Sequence, residues 1–233
     1  MENQLVIIAN AYDKLIESGR KGIVQNKILP DYILNDPDYP EWKSEKEKGN
    51  HRGSENKDIK DYLMPESNMK FIDLGCCLNL MFKGYSEWSS MYHGVDISKE
   101  TIQLLNEYVI ENGLSIGKLI CGSMHETPFE NNFFDIGTCI GMLEYFEEDF
   151  IKKVINEIHR IIKPNGKFAI CIPNINSPSC NIMFLMEEYK ERPCKFNILP
   201  NEFEKMLDNL FEIEKKDNNN EFMELFYYLK CKK

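Results

Sequence analysis

The chain has 233 residues, of which 42% are hydrophobic and 28% charged, and its formal net charge is −10 at pH 7. This composition is typical of one globular domain with a sizeable core, and it excludes a fibrous or wholly disordered chain. The negative charge repels a phosphate backbone, so no nucleic-acid partner is expected. No apolar run reaches the roughly 18 residues of a membrane span, and without a signal peptide a cytoplasmic protein without membrane contact is expected.

The N-terminal residues 1–65 are predicted to form a cap or lid, separate from a main domain over residues 66–233. A helix is predicted over residues 4–17, where apolar residues recur at helical spacing. Residues 29–56 are rich in Pro, Asp, Lys and Glu, which indicates either a loop that acts as a mobile lid or a solvated linker. Tyr32, Tyr39 and Trp42 favour the lid, because aromatic side chains in a polar segment can close over a ligand.

From residue 69 onward, short apolar runs alternate with amphipathic stretches, which predicts an α/β fold with a mostly parallel sheet. Strands are predicted at 69–74, 91–96, 117–121, 133–140 and 167–172. Helices are predicted over 98–111, with Ser98 as the N-cap, and over 147–162. A further helix begins near residues 200–201, and two apolar segments around the asparagines 218–220 predict an antiparallel hairpin at the end of the chain.

The strongest chemical pattern is the strand KFIDL followed by Gly75 and two cysteines. At the carboxyl end of a parallel strand, a glycine lets the backbone approach a ligand closely, and the next helix presents free N–H groups. The following strand ends in Asp96, where a carboxylate can accept both hydroxyls of a ribose. Together these features predict a nucleoside site.

Five ordered motifs resemble the class I S-adenosyl-L-methionine (SAM)-dependent methyltransferases, in particular the small-molecule, type 11-like subgroup. They cover residues 69–174, nearly half of the chain, and read IDLGCC, GVDIS, CGSMHETPFENNFFD, TCIGMLEYF and IHRIIKPNGKFAICIPN. The resemblance implies a Rossmann-like fold with a mostly parallel seven-stranded sheet, an antiparallel C-terminal hairpin and an N-terminal helical cap. It also implies SAM as the cofactor and a small molecule as the methyl acceptor.

Carried over residue by residue, the resemblance places Asp73 and Gly75 around the methionine part of SAM, with Asp73 accepting from the amino group. It places Asp96 on the ribose hydroxyls, and Ser123 and Met124 beside the adenine. The other cofactor-binding positions that it implies are Cys76, Cys77, Ile97, Cys139, Ile140 and Gly141.

The chain departs from the family pattern at three positions. Cys77 and Asn79 stand where the family has its second and third glycines, and Ser123 stands where an acid usually receives the adenine amino group. A side chain at Cys77 is expected to be tolerated if φ stays negative there, and Asn79 is of a residue type that tolerates positive φ well. The lost acid removes a charge-assisted hydrogen bond of about 1.5–3 kcal/mol, so weakened cofactor binding is expected.

Methyl transfer mainly requires alignment of the acceptor and exclusion of water, and a base is needed only when the acceptor must lose a proton. Weak candidates for that base are His125 and Tyr145, followed by the lid residues Tyr39 and His51. Glu144 is a candidate for orienting a loop. Arg52 is a candidate partner for the methionine carboxylate if the lid closes.

Alternative functions remain open at this stage. The altered glycine motif is compatible with a degenerate SAM- or nucleoside-binding module without catalysis, and a nucleic-acid methyltransferase is less favoured because of the charge. A nicotinamide-dependent enzyme is disfavoured because the GxGxxG fingerprint is missing. The acceptor is expected to be selected by the N-terminal cap and by the insertion at 174–199. No pattern indicates an oligomeric state.

The eight cysteines lack the close spacing of a metal site or a redox motif, so no metal site is expected. Most of them lie in or near apolar runs, where reduced thiols behave as small hydrophobic side chains. A thiophilic acceptor is a further hypothesis, suggested only by the number of cysteines near the expected cleft: Cys76, Cys77, Cys139, Cys171, Cys180 and Cys194.

Overall fold

The structure, a computed structural model, describes residues 2–23, 28–47, 53–217 and 223–233. Its centre is a seven-stranded sheet in the order β3-β2-β1-β4-β5-β7-β6. The strands are β1 (Lys70–Leu74), β2 (Met91–Asp96), β3 (Leu119–Cys121), β4 (Phe134–Cys139), β5 (Ile162–Pro173), β6 (Phe211–Asp217) and β7 (Glu224–Cys231). The helices are α1 (Glu2–Arg20), α2 (Asp31–Leu34), α3 (Tyr39–Glu47), α4 (Gly53–Leu63), α5 (Asn79–Phe82), α6 (Lys99–Glu111), α7 (Glu148–Ile161), α8 (Pro178–Tyr189) and α9 (Pro200–Leu207). Within the described ranges, no helix is long and apolar enough to cross a membrane.

Strand pairing confirms the predicted fold. The first five strands in the chain pair in parallel, and β7 pairs antiparallel with both β5 and β6. The largest error in a strand boundary is in β5, which begins at Ile162 because this residue pairs with Phe134. An irregularity that contains Asn165, with φ +62, separates this pair from the next one, Ile136 with Lys167. Since the carboxyl ends of the parallel strands share one edge, the loops after β1, β2 and β4 meet there.

Both faces of the sheet are covered by helices. Adjacent residues of β1 point to opposite faces, so Ile72 packs in the cluster that contains the apolar side of α7, whereas Phe71 packs in the cluster that contains α4 and α6. Ser98 caps α6 as predicted, since its side chain accepts a hydrogen bond from Thr101 N at 3.0 Å. The core therefore fixes the direction in which each loop leaves the sheet.

The predicted loop over residues 29–56 is wrong in its described parts, which are helical in α2, α3 and the start of α4. Tyr39 and Trp42 stack at 5.6 Å between ring centroids, and Trp42 donates from Nε1 to Met223 Sδ at 3.3 Å. Both α2 and α3 pack against α8, and this tertiary contact supplies the stability that the charge-rich sequence lacks. The candidates His51 and Arg52 lie outside the described residues.

Helix α1 extends the predicted segment 4–17 and lies along the carboxyl edge of the sheet. At one end of that edge, Asp13 Oδ1 accepts from Ser98 Oγ at 2.6 Å and from Glu100 N at 3.1 Å. At the other end, Gln4 Nε2 donates to the carbonyl of Tyr145 at 2.9 Å and to that of Pro193 at 2.8 Å. The helix therefore bridges the loops that follow β2 and β4. A boundary near residue 65 between cap and main domain stays a prediction.

Candidate functional site

The turn after β1 is tight and is tied to the end of β2. Gly75 has φ +68, and the N–H groups of Gly75 and Cys76 both donate to Val95 O, at 2.8 and 3.0 Å. A methyl group built on Gly75 Cα would lie 2.2 Å from Cγ of Met142, in the loop after β4. Only glycine therefore fits the turn without displacing the facing side chain.

Asp96 connects this turn to the end of β2. Its Oδ2 accepts from Cys77 N at 2.7 Å and its Oδ1 accepts from Ser98 N at 2.8 Å. The residue is only 5% exposed, and burial raises the pKa of its carboxyl to about 6 despite these two hydrogen bonds. The predicted glycine turn and the predicted ribose acid thus form one unit.

The backbone at Cys77 differs from the expectation. Cys77 has φ +40, whereas Asn79 begins α5 and is not among the residues with positive φ. The hydrogen bond from Cys77 N to Asp96 holds the strained residue in place, at a cost of about 1–2 kcal/mol for a side chain in the left-handed region. Cys77, not Asn79, takes over the backbone conformation suited to a glycine.

Asp73 is fully buried within the sheet edge. Its Oδ1 accepts from Thr138 Oγ1 at 2.8 Å, and its Oδ2 accepts from Asn79 Nδ2 and Tyr92 OH, each at 3.1 Å. Burial raises its pKa to about 6. These three donors leave roughly one acceptor position on a carboxylate, so the contact of Asp73 with a cofactor amino group stays a prediction.

The residues expected beside the adenine lie together on the loop after β3. Ser123 Oγ is 2.6 Å from Nδ1 of His125, whose ring packs at 4.9 Å from that of Phe150. Met124 is buried, and its Sδ accepts from Cys139 Sγ at 3.9 Å. The structure thereby joins this loop to the end of β4. Two further implied positions lie at the same edge of the sheet: Ile97 is half-buried and Cys76 is fully buried.

Glu157 on α7 anchors the loop after β3 through hydrogen bonds to Thr127. Its Oε1 accepts from Thr127 N at 2.7 Å and from Thr127 Oγ1 at 2.6 Å, and both of its oxygens accept from Arg160 at 2.7 Å. Desolvation raises the pKa of Glu157, but the hydrogen bonds from Arg160 and Thr127 outweigh it and lower the pKa overall. The carboxylate is therefore the form that the fold stabilises.

We expect Glu157→Gln to lower the free energy of unfolding by about 1.5–3 kcal/mol at neutral pH, because it removes hydrogen bonds to a charged group. A lowered folded-state pKa contributes stability above the unfolded pKa, and that stability is lost as the pH falls through the folded value. The difference between variant and wild type should therefore shrink on acidification. Urea unfolding at several pH values measures it. Glu148→Gln, an exposed change on the same helix, is the control, and a difference that stays constant with pH contradicts the assignment.

A polar cluster lies beyond β4, where α1 meets α8. Tyr145, a weak candidate for the base, is 2% exposed, and its hydroxyl donates to Glu187 Oε2 at 2.9 Å. The Tyr145 hydroxyl is also 3.2 Å from that of Tyr12. Burial raises the pKa of both phenols, so they are neutral hydrogen-bonding groups at physiological pH.

The implied positions Ile140 and Gly141 directly follow β4. Gly141 has φ +69 and donates its N–H to Cys171 Sγ at 3.1 Å, and Ile140 is buried.

Arg192 is a site residue that the sequence analysis did not single out. It is 8% exposed, and its guanidinium carbon lies 4.7 Å from the centre of the Tyr12 ring. Its Nε is 2.7 Å from Glu187 Oε2, but among the described residues the Nε–H has no acceptor in hydrogen-bond geometry. The charge of Arg192 also acts on the thiol of Cys77. Arg192 is therefore a nearly buried cation that pairs with Glu187 and whose charge reaches Cys77 in the glycine turn.

The cysteines of the site are uncharged thiols. All eight cysteines of the chain are free, and burial raises the pKa of Cys76, Cys77 and Cys139, that of Cys77 to about 11. Since the thiolate is the form that binds metals and attacks electrophiles, this environment suits packing better than thiol chemistry. No three His, Cys, Asp or Glu side chains in the described ranges are arranged to hold a metal ion.

Comparison with known proteins finds similar methyltransferases. A family model described as a methyltransferase domain matches residues 72–170. The sterol 4-C-methyltransferase strm-1 of Caenorhabditis elegans is 28% identical over 113 residues, which cover 48% of this chain and 33% of that protein. The ubiquinone biosynthesis O-methyltransferase of Haemophilus ducreyi is 23% identical over 137 residues, which cover 55% of this chain and 57% of that protein. The chain thus spans less than two thirds of either relative.

A solved structure covers more of the chain. The geranyl diphosphate C-methyltransferase from Streptomyces coelicolor A3(2), in complex with Mg²⁺, geranyl-S-thiolodiphosphate and S-adenosyl-L-homocysteine, superposes with a TM-score of 0.67. The superposition covers 98% of both chains at 15% sequence identity. At this identity the likeness shows a common fold, and it includes the N-terminal helices and α8.

Proposed function

We propose that this chain, whose residues 72–170 match a family model of a methyltransferase domain, is a class I SAM-dependent methyltransferase that binds SAM and transfers the methyl group to a small molecule. The observation that carries this proposal is the hydrogen bond of 2.7 Å between Cys77 N and Asp96 Oδ2. It joins the glycine turn and the ribose acid in one rigid unit, as a nucleoside site requires.

The residues at the edge of the sheet fit SAM in three places. The backbone of Gly75 gives close access, provided that the flexible side chain of Met142 turns away. Asp96 offers a carboxylate to the ribose hydroxyls, and Met124 offers an apolar surface to the adenine. The charge of the nearly buried Arg192 suits the methionine carboxylate, in the role that the sequence suggested for Arg52.

When bound, SAM supplies a methyl group activated by a positively charged sulfur. The chain then has to hold the acceptor in line and keep water out. Helix α1 serves the second task, because its contacts through Gln4 and Asp13 close the edge between the loops after β2 and β4. The net charge of −10 and the relatives named for a sterol and for geranyl diphosphate support a small-molecule acceptor.

Calorimetric titration with S-adenosyl-L-homocysteine (SAH) tests the cofactor site. We expect micromolar binding by the wild type and a loss of at least about tenfold in Asp96→Ala, because two hydrogen bonds to the ribose disappear. Asp61→Ala, a change of an exposed acid on α4, should bind SAH like the wild type. Absence of SAH binding by the wild type, or equal binding by both variants, would overturn the proposal.

The affinity for SAH should also depend on pH through Asp96. The carboxylate is the form that accepts two ribose hydroxyls, and the pKa of Asp96 is about 6. The affinity should therefore fall by about tenfold between about pH 7.5 and pH 5, as the group takes up a proton. Asp96→Asn should bind more weakly and show a flat profile. A slope in Asp96→Asn like that of the wild type would assign the titration to another group, such as Asp73.

A further inference from the structure

The hydroxyl groups of Tyr12 and Tyr145 form a chain of hydrogen bonds that leads to Glu187. Tyr145 Oη donates to Glu187 Oε2 at 2.9 Å, and Tyr12 Oη lies 3.2 Å from Tyr145 Oη. A tyrosine hydroxyl has only one proton to donate. Because Tyr145 gives its proton to Glu187, the hydrogen bond between the two tyrosines uses the proton of Tyr12. The chain therefore has a fixed direction, from Tyr12 to Glu187.

The start of this chain is open. Within the described ranges, the hydroxyl of Tyr12 has no hydrogen-bond partner besides Tyr145, and it spends its proton there. Its oxygen keeps lone pairs that can accept a hydrogen bond from a ligand. Tyr12 is half-buried, whereas Tyr145 is 2% exposed, so Tyr12 is the end of the chain that a ligand can reach.

The other end of the chain is a carboxylate held by two cations. Glu187 Oε2 lies 2.7 Å from Arg192 Nε, and Glu187 Oε1 accepts from Lys190 Nζ at 2.8 Å. The side chain of Lys190 is 43% exposed, so this end of the chain lies close to solvent. A proton delivered to Glu187 can therefore be passed on to water.

The open end of the chain lies at the carboxyl edge of the sheet, where open α/β sheets bind their ligands. On one side, the residue after Tyr12 is Asp13, which accepts from Ser98 Oγ at 2.6 Å in the loop after β2. On the other side, Tyr145 lies in the loop after β4, which also carries the side chain that lies against the glycine turn. The two tyrosines therefore span the loops on both sides of the proposed cofactor site.

The charges along the chain favour a neutral ligand at Tyr12. The guanidinium carbon of Arg192 lies 4.7 Å from the centre of the Tyr12 ring, and the carboxylate of Glu187 is already paired. An ammonium ion at Tyr12 would lose its hydration and find a neutral oxygen, a nearby cation and no counter-ion. A neutral hydroxyl group needs only the acceptor that Tyr12 offers.

We propose that the methyl acceptor is a hydroxyl compound, that its O–H donates to Tyr12 Oη, and that the chain from Tyr12 to Glu187 takes up its proton. This proposal rests on the proposed methyltransferase function and specifies its substrate class. Tyr12 is the catalytic residue, because it contacts the acceptor. Tyr145, which the sequence suggested as a base, is then the link between Tyr12 and Glu187.

The step is balanced by these groups. A lone pair of the acceptor oxygen forms the new O–C bond to the methyl carbon while the S–C bond breaks and its electron pair stays on sulfur. The acceptor proton passes to Tyr12, the proton of Tyr12 to Tyr145, and that of Tyr145 to Glu187, which becomes a carboxylic acid. The products are a neutral methyl ether and a neutral thioether, and Glu187 later releases its proton to water. A carboxylate is a sufficient base, because the acceptor oxygen becomes strongly acidic as its third bond forms.

Binding of matched hydroxyl and ether probes, in the presence of saturating SAH, tests the contact at Tyr12. The probes are phenol, cyclohexanol and 1-hexanol, each compared with its methyl ether by calorimetry. For at least one pair, the ratio of the affinity for the hydroxyl compound to that for the ether should be about three- to tenfold higher in the wild type than in Tyr12→Phe, which is the range for one neutral hydrogen bond. Cyclohexylamine should bind more weakly than cyclohexanol.

Tyr62→Phe is the matched control. Tyr62 also donates its hydroxyl to a glutamate, Glu214 Oε2 at 2.9 Å, but it lies on α4. This variant should keep the wild-type ratio, and SAH affinity should stay within about twofold of the wild type in both variants. If Tyr12 only fixed α1 in place, Tyr12→Phe would lower the affinities for the hydroxyl compound and the ether together and leave their ratio unchanged.

Turnover of the hydroxyl probe with the largest ratio, in the presence of SAM, tests the proton chain. Tyr145→Phe interrupts the chain but keeps the Glu187 carboxylate, so the rate should fall by about a hundredfold or more. The affinity for the probe should change by less than about threefold, because Tyr12 keeps its oxygen.

Three results overturn this proposal alone in a wild type that binds SAH. They are equal ratios in the wild type and Tyr12→Phe for all three pairs, no methylation of the preferred probe, and a wild-type rate in Tyr145→Phe. A wild type that does not bind SAH overturns the proposed function, and the acceptor class with it.

Discussion

Replacement of Arg192 by Gln should weaken SAH binding by about two orders of magnitude, while the binding of 5′-methylthioadenosine changes by less than about twofold. The two ligands share the adenosine and the thioether, but only SAH carries the amino-acid carboxylate. If Arg192 binds that carboxylate, the loss is confined to the ligand that has it. The expected size is that of a buried charge pair with one partner removed, about 2–5 kcal/mol.

Arg192 makes few other contacts whose loss could explain weaker SAH binding. Its Nε forms an ion pair with Glu187, and Glu187 keeps Lys190 as a second partner at 2.8 Å. Arg192→Gln therefore should not leave the Glu187 carboxylate without a cation. Its face-on contact with Tyr12 is worth about 0.5–2 kcal/mol, which is small beside the expected loss.

Two controls make the measurement decisive. Arg20→Gln removes an arginine at the C-terminal end of α1 that forms an ion pair with Glu107 on α6, and SAH binding should not change. Retained binding of 5′-methylthioadenosine by Arg192→Gln shows that the adenosine site is intact. A parallel loss of both ligands would mean that Arg192 supports the fold of the site, and unchanged SAH binding would leave the carboxylate without its proposed partner.

The strand and the glycine turn of this site could be predicted from the sequence, because a local pattern of residues specifies them. The run KFIDLG predicts a strand and a turn because apolar residues, an acid and a glycine follow one another, and the structure has β1 and Gly75 at these positions. The sheet order and the C-terminal hairpin follow in the same way from alternating apolar runs and from the family resemblance. The strand and the glycine turn depend on neighbours that are close in the sequence, as in the strand–turn–strand unit of a nucleoside site, whereas the order of the strands follows from the family resemblance.

Features that depend on distant contacts could not be predicted. No local pattern marks Arg192, because its position depends on its contact with Tyr12 of α1, which is far away in the sequence. The helices α2 and α3 were missed for the same reason, since their charge-rich sequence becomes helical through packing on α8. The positive φ of Cys77 could not be predicted, because the hydrogen bond from Cys77 N to Asp96 cannot be seen in the sequence.

The second large effect is expected from Gly75→Ala, compared with Gly113→Ala. Both glycines have positive φ, +68 and +60, so each substitution should lower the free energy of unfolding by about 1–2 kcal/mol through backbone strain. Their surroundings differ, since an added methyl group meets nothing within 4 Å at Gly113 but lies 2.2 Å from Met142 Cγ at Gly75. Gly113→Ala therefore measures the strain alone.

Only Gly75→Ala should impair ligand binding. The added methyl group would occupy the space that SAH must approach and would displace Met142. We therefore expect the affinity for SAH to fall by more than about tenfold in Gly75→Ala. Gly113→Ala should bind SAH like the wild type. Calorimetry gives the affinities and urea unfolding gives the stabilities of the same samples. Equal affinity in the two variants would show that the ligand does not approach the turn after β1. A large loss of affinity in Gly75→Ala alone, with a loss of stability that exceeds that of Gly113→Ala only by the cost of moving Met142, would separate the space that the ligand needs from the backbone strain that both positions share.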